Sequence, residues 1–102
     1  MRNLMNKIRK SIINNKKICY VCGTNNNLHY HHIIFGKNRK KADEDGLTVY
    51  LCYSHHEGTY GVHGKYGNEL DKKLKIIAEK RWCEYYNKTK EDFRERYYRN
   101  YL

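Results

Sequence analysis

The segment that decides the fold runs from Cys19 to His63 and reads CYVCGTNNNLHYHHIIFGKNRKKADEDGLTVYLCYSHHEGTYGVH. It contains all 6 histidines and three of the 4 cysteines of a chain of 102 residues. Histidine and cysteine are the side chains that most often bind transition metals in proteins. Their concentration in one segment predicts that the chemistry of the protein lies there.

Two pairs of possible zinc ligands stand in this segment. Cys19 and Cys22 form a Cys-x-x-Cys turn followed by Gly23, in which two thiolates can point at one Zn²⁺. Cys52 and His55 are three apart at the expected start of a helix, so their side chains project to the same side. The pattern predicts a structural Cys3His zinc site, whose binding free energy would stabilise a small core.

Spacing alone leaves two alternatives to this site open. Cys19 and Cys22 could form a thioredoxin-like redox pair, although the βαβ context of such a pair is missing. His56 could take the place of His55 as the fourth ligand, but His55 matches the Cys-x-x-Cys spacing better. Cys83 stands apart on a later helix and is expected to be a buried or half-buried thiol.

The residues between the ligand pairs predict a β-hairpin. Leu28 to Phe35 and Leu47 to Leu51 have the β-branched, aromatic and aliphatic character of strands. Between them, GKNRKKADEDG at residues 36–46 is interpreted as a polar, charged loop. A short helical turn is expected to start near Cys52.

Both ends of the chain have helical character. In residues 1–18, Leu4, Ile8 and Ile12 recur at intervals of four, which a weak helix or a disordered basic arm would fit equally well. Asn68 is expected to cap a longer helix. The apolar stripe of that helix comprises Leu70, Leu74, Ile77, Trp82 and Tyr85. Residues 89–92 then resemble a capping box for a second, short helix.

Length and composition favour one small α+β domain. The mean hydropathy of −1.04 leaves little material for a large core, which favours bracing by a metal. We expect residues 1–18 to form a basic N-terminal arm or helix, and residues 19–102 to form one zinc-braced domain. No apolar run reaches the roughly 20 residues that cross a bilayer, and no signal peptide is evident, so a cytoplasmic protein is expected.

The formal net charge of +10 favours a polyanionic partner, and nucleic acid is the leading candidate. Lys37, Arg39, Lys40 and Lys41 lie between the predicted strands, where they could hold the backbone of a duplex. A solvated charge run, or a compositional bias towards Lys, Asn, Ile and Tyr, is the competing explanation. Some of the 11 tyrosines could stack on bases, although most are expected to pack in the core.

The adjacent histidines in the first predicted strand must have different roles. Consecutive side chains of a strand point to opposite faces, so His31 and His32 cannot bind one metal ion in the same manner. One can ligate a cation while the other accepts a proton from water, as hydrolysis of a phosphodiester requires. His56 and His63 could complete the cation site, and His29 is assigned to structure or surface.

The order of these motifs resembles the HNH, or ββα-metal, nuclease family, which is built on a treble-clef zinc finger. The matching motifs are Cys19-x-x-Cys22-Gly23, the run from Leu28 to Ile33, and Leu51-Cys52-x-x-His55-His56. More narrowly, Gly61-Val62-His63-Gly64 and Arg99-Asn100-Tyr101-Leu102 are similar to small phage-encoded HNH-like proteins, some of them akin to recombination-associated nucleases.

The resemblance assigns four histidines to a catalytic centre: His31 and His56 as ligands of a Mg²⁺ or Mn²⁺ ion, His63 as a further ligand, and His32 as the general base. The central Asn of the family, which orients the loop and the base, is not evident. Leu47 occupies its position, and Asn38 is a distant substitute.

We therefore expect a metal-dependent DNA endonuclease of low sequence specificity, acting in the host cytoplasm if it is phage-encoded. One alternative is a non-catalytic zinc-finger protein on the same scaffold, which would bind nucleic acid or act as an adaptor or inhibitor. Another is an RNA-binding or ribosome-associated zinc protein, which the basic charge and the tyrosines also fit.

Overall fold

A computed structural model describes residues 11–102 as a small α+β structure with a two-stranded sheet. Its elements are β1 (Leu28–His32), a 3-10 turn (Gly36–Asn38), α1 (Arg39–Asp45), β2 (Thr48–Cys52), α2 (Tyr53–His56), α3 (Asn68–Tyr86) and α4 (Lys90–Tyr97). The predicted hairpin, the short helix after Cys52 and the two C-terminal helices are all present. Across residues 11–102, no helix combines the length and the apolar character that crossing a membrane requires.

β1 and β2 pair in the antiparallel direction and place the adjacent histidines on opposite faces of the sheet. His31 is buried and only 3% exposed, whereas His32 is partly exposed on the other face. The predicted extension of β1 to Phe35 is wrong, because the strand ends at His32. Ile33 and Ile34 are both buried, and two consecutive buried side chains break the alternation of a half-buried strand.

The connection between the strands contains a helix, α1, where the sequence predicted a loop. Ala42 is its fully buried residue, and Gly46 ends it with a left-handed φ of 79°. The carboxylate of Asp45 accepts hydrogen bonds from Nε1 of Trp82 at 2.8 Å and from Nε of Arg96 at 2.5 Å. The charged sequence RKKADED has no apolar periodicity, so these contacts with distant helices stabilise α1.

α3 packs one face on the core. Its buried apolar residues are Leu74, Ala78 and Trp82. The prediction that Tyr85 belongs to this face is wrong, because Tyr85 is 60% exposed. Four residues after Trp82 comes Tyr86, whose hydroxyl donates to the carbonyl oxygen of Asp45 at 2.8 Å. The buried stripe therefore follows a spacing of four along this helix.

The starts of α3 and α4 differ. The N-cap of α3 is Gly67 rather than Asn68, because Asn68 already belongs to the helix and no side chain caps it. The predicted capping box at α4 is confirmed: the hydroxyl of Thr89 accepts from the backbone N–H of Asp92, and the Asp92 carboxylate accepts from the N–H of Thr89. Such a box satisfies two backbone donors that a helix start leaves unpaired.

A buried carboxylate fixes the end of the chain on α3. Glu79 is fully buried and accepts hydrogen bonds from Nδ2 of Asn100 at 2.8 Å and from the backbone N–H of Tyr101 at 2.5 Å. The N–H of Leu102 lies 3.2 Å from the same carboxylate. These bonds offset the cost of burying a charged group.

Residues 11–18 are not helical, so of the two forms expected for residues 1–18, an arm or a helix, the helix does not extend over this part. The backbone N–H of Ile12 instead donates to the carbonyl oxygen of Gly46 at 2.9 Å, which draws the chain onto the strand connection. The helical positions expected at Leu4 and Ile8 lie outside the described residues.

Candidate functional site

Three cysteines and one histidine converge beside the end of β2. Sγ of Cys22 lies 3.8 Å from Sγ of Cys52, and Nδ1 of His55 lies 3.3 Å from Sγ of Cys52 and 3.7 Å from Sγ of Cys19. One ligand atom from each of these four residues lies within 4.8 Å of the others. We call this set the cysteine cluster. It contains His55 rather than His56.

The spacing in the cysteine cluster matches a tetrahedral metal site. With Zn–S bonds of about 2.3 Å and Zn–N bonds of about 2.0 Å, neighbouring ligand atoms lie roughly 3.5 to 3.8 Å apart. A disulfide would need about 2.05 Å between its sulfur atoms. The sulfur atoms of Cys22 and Cys52 are 3.8 Å apart, so these two residues do not form a disulfide. The cluster could therefore hold a metal ion such as zinc.

Local backbone geometry prepares the Cys19 thiol for binding a metal. The N–H of Cys19 donates to the carbonyl oxygen of Thr24, and the N–H of Gly23 donates back to the carbonyl oxygen of Cys19, both at 2.8 Å. Gly23 has a φ of 79°, which favours glycine. Burial opposes ionisation of the Cys19 thiol, but backbone amides, first that of Cys52, outweigh it and lower the pKa of Cys19 to about 6. The thiolate is the form that binds a metal.

A second cluster joins three histidines from different parts of the fold. His31 comes from β1, His56 from α2, and His63 from the loop that follows α2. The ring centroid of His31 lies 5.2 Å from that of His56 and 5.4 Å from that of His63. The ring centroids of His56 and His63 are 4.7 Å apart. We call this set the histidine cluster.

His31 is the buried member of the histidine cluster. Its Nε2 is buried and has no hydrogen-bond partner among residues 11–102. Burial, and then the neighbouring His56 and His63, lower the pKa of His31 to about 3, so the ring is neutral at pH 7. A buried nitrogen without a partner costs about 1–3 kcal/mol, which coordination of a cation would offset. The donor set therefore fits a divalent metal ion.

His56 has two partners at one ring nitrogen. Its Nδ1 lies 2.8 Å from Nδ1 of His29 and 3.3 Å from Oε2 of Glu57. Burial, and then His63, lower the pKa of His56, although the Glu57 carboxylate opposes this shift. Because Nδ1 contacts these two partners, Nε2 would be the nitrogen available to an ion held with His31 and His63. His29, which the sequence assigned to structure or surface, therefore supports the histidine cluster.

His63 is held by a loop of repeated glycine turns. Its backbone N–H donates to the carbonyl oxygen of His56 at 2.9 Å. A side chain at Gly64 would place a Cβ 1.8 Å from the carbonyl oxygen of Gly58, so only glycine fits there. The tightly packed glycines are Gly58, Gly61, Gly64 and Gly67. These glycine turns were not predicted from the sequence, although the recurrence of glycine at every third residue from Gly58 to Gly67 indicates them.

His32 lies on the opposite face of β1 but reaches the same opening. His31 and His32 both line a cavity of about 210 Å³, together with His56 and His63. Nε2 of His32 lies 3.0 Å from Oδ1 of Asp43, and the two side chains are 11% and 18% exposed. The structure thus brings all four histidines of the predicted centre to one cavity.

The predicted basic residues divide into two groups. Arg39 lines the cavity beside His31 and, with Lys40, a neighbouring cavity of about 510 Å³. Lys41 points elsewhere, because its Nζ donates to the carbonyl oxygen of Arg96 at 3.0 Å. Lys37 is exposed in the 3-10 turn. Of the four predicted basic residues, Arg39 and Lys40 are therefore the best placed to meet an anion at the histidines.

The two clusters meet at α2, where His55 faces the cysteines and His56 faces His31 and His63. One cluster offers four donors, and the other offers three nitrogens beside a cavity.

In comparisons with protein families, with curated proteins and with solved structures, no match to the chain was found.

Proposed function

We propose that this chain is a metal-dependent endonuclease of the HNH type, which hydrolyses phosphodiester bonds in DNA with little sequence specificity. The observation that supports this most directly is the buried Nε2 of His31, which lacks a hydrogen-bond partner among the described residues and lies beside His56 and His63. Imidazole nitrogens gathered in this way suit a divalent transition metal ion.

In this proposal His31, His56 and His63 would hold a Mn²⁺ or Mg²⁺ ion. When bound, the ion would supply positive charge to the phosphate and to the departing 3′ oxygen. Imidazole nitrogens suit transition metals better than Mg²⁺, which prefers oxygen ligands. Mn²⁺ is therefore expected to support cleavage better than Mg²⁺.

His32 would act as the general base. With Nε2 occupied by Asp43, Nδ1 would be the nitrogen that accepts a proton from a water molecule in the cavity that both histidines of β1 line. Imidazole exchanges protons near neutral pH, which suits the activation of water. The water oxygen forms a bond to phosphorus, the bond to the 3′ oxygen breaks with its electron pair, and the proton passes to His32.

Arg39 and Lys40 would bind the substrate. Arg39 borders the cavity that contains the histidine cluster, and Lys40 borders the neighbouring one. A guanidinium can donate two parallel hydrogen bonds to a phosphate, and the net charge of +10 favours any polyanion. These contacts read the backbone rather than the bases, which agrees with low sequence specificity.

The cysteine cluster would be the structural zinc site of a treble clef. It joins the turn at Cys19 and Cys22 to the end of β2 and to α2, the helix that carries both His55 and His56. Zinc bound there would fix the position of His56, because the preceding residue, His55, would be one of its ligands. In this proposal the cysteine cluster and the histidine cluster are therefore linked through α2.

A second candidate function is non-catalytic binding of nucleic acid on the same scaffold. This candidate is favoured because no asparagine that could orient the base is found at the position of the central Asn of the HNH family. Leu47 is fully buried and apolar, and Nδ2 of Asn38 already donates to the carbonyl oxygen of Tyr97 at 3.2 Å. Neither side chain can orient the general base.

A nicking assay separates the two candidates. Supercoiled plasmid is incubated with Mn²⁺ and the zinc-loaded protein, and the wild type is compared with His32→Ala. We expect nicking by the wild type and a loss of about 10² to 10⁴-fold in His32→Ala, with both metals still bound. Equal nicking by both proteins would exclude His32 as the base. Binding of the plasmid without nicking by the wild type would favour the second candidate.

A further inference from the structure

The carboxylate of Asp43 lies against the ring of His32. Oδ1 of Asp43 is 3.0 Å from Nε2 of His32, a normal hydrogen-bond length, and both side chains are more than four-fifths buried. The contact joins α1 to β1 across the strand connection. Since both side chains are largely buried, the hydrogen bond constrains the orientation of the imidazole more strongly than a fully exposed one would.

The backbone that carries Asp43 is fixed on both sides. The preceding residue, Ala42, is fully buried in the core. Two residues further on, the Asp45 carboxylate is held by Trp82 and Arg96 from α3 and α4. The carboxylate of Asp43 is therefore presented by a rigid element rather than by a flexible loop, which is what positioning a reactive group requires.

We propose that Asp43 is the positioning residue of the general base His32, an inference that rests on the nuclease function proposed above. The carboxylate accepts the N–H of Nε2, so the neutral ring carries its proton there and Nδ1 keeps a lone pair. Nδ1 then takes the proton of the attacking water as the oxygen bonds to phosphorus and the bond to the 3′ oxygen breaks. The carboxylate also lies beside the imidazolium that results and stabilises its charge.

An amide in place of this carboxylate would work against the base. The NH2 group of an asparagine can turn towards Nε2 and donate to it, which favours the tautomer with the proton on Nδ1. That tautomer cannot accept a proton from water at Nδ1. The expected effect of Asp43→Asn is therefore on kcat rather than on KM, because the substrate contacts at Arg39 and Lys40 are unchanged.

The test has a kinetic arm and a spectroscopic arm. In the kinetic arm, Asp43→Asn is expected to lower kcat about 100-fold with KM changed less than about threefold, and to have no further effect in the His32→Ala background. Glu44→Gln is the matched control: it removes a neighbouring charge on α1 whose partner is Arg96, not His32. In the spectroscopic arm, long-range ¹H–¹⁵N spectra of the wild type with zinc are expected to show His32 protonated at Nε2.

Each arm can overturn the inference. Unchanged kcat in Asp43→Asn, or an equal loss in the wild-type and His32→Ala backgrounds, would show that Asp43 does not act through His32. A proton on Nδ1 of His32 in the wild type would contradict the proposed tautomer without reference to activity or to the folding of a variant. Failure of the wild type to cut DNA would instead reject the nuclease function, and the spectra would still test the contact.

Discussion

The cysteine cluster and the histidine cluster differ in the chemistry of their donors and in their access to solvent. The first combines three sulfur atoms and one nitrogen in a set of four, which is the number that a closed tetrahedral site uses. The second has three nitrogens, and its member His63 is exposed beside a cavity of about 210 Å³. A complete donor set suits a structural ion, whereas an incomplete one beside a cavity leaves room for a substrate.

α2 divides these two tasks between neighbouring residues. It is four residues long, and its last two, His55 and His56, contribute to different clusters. Successive residues of a helix point about 100° apart, so one short turn can serve two sites. In the proposed function the cysteine cluster positions the histidine cluster, and the following variants separate the two roles.

The largest effect is expected from loss of a ligand in the cysteine cluster. Cys19→Ser should abolish zinc binding and cooperative unfolding, because a structural zinc site contributes roughly 10–16 kcal/mol in small domains. Metal analysis and circular dichroism on heating measure both. Cys83→Ser is the control, since Cys83 lies outside the cluster and should keep its metal and its melting transition. A metal-free Cys19→Ser protein that melts like the wild type would contradict the structural role.

A smaller effect on stability and a large one on chemistry are expected from the histidine cluster. His63→Ala should retain zinc and the fold, because His63 is exposed. Loss of a residue that only hydrogen-bonds to a metal ligand lowers metal affinity roughly 10 to 100-fold. Loss of His63, a proposed ligand itself, should lower the affinity for Mn²⁺ by more than this. Calorimetric titration with Mn²⁺ and the nicking assay measure this. Unchanged Mn²⁺ affinity would remove His63 from the site.

The smallest effect is expected from the basic residues of α1. Lys40→Ala should weaken DNA binding evenly across sequences and reduce the slope of log K against log salt by about 1. Lys41→Ala is a matched control with the same change in charge, and the slope should change less because Lys41 is bonded to α4. Equal slopes for the two variants would mean that α1 carries no local phosphate contact.

Local patterns in the sequence were sufficient for part of this arrangement. The spacing of Cys19, Cys22, Cys52 and His55 gave the cysteine cluster, since a turn and a helix start each fix the direction of two side chains. Strand alternation separated His31 from His32 for the same reason. The treble-clef and HNH assignments are finer than these patterns and stay predictions.

Contacts between distant residues account for what the sequence did not reveal. α1 was missed because its charged residues show no period, and Asp45 finds its partners 37 and 51 positions away in Trp82 and Arg96. The contact between His29 and His56 spans 27 positions and has no local signal. The Asp43 carboxylate could not be linked to His32 while the connection was interpreted as a loop.

The central claim, that one chain holds two chemically distinct metal sites, is tested most directly by anomalous X-ray diffraction from crystals grown with both zinc and manganese. The account predicts a zinc peak among Cys19, Cys22, Cys52 and His55, and a separate manganese peak among His31, His56 and His63. Absence of manganese from the three histidines, under conditions in which the protein nicks DNA, would contradict it.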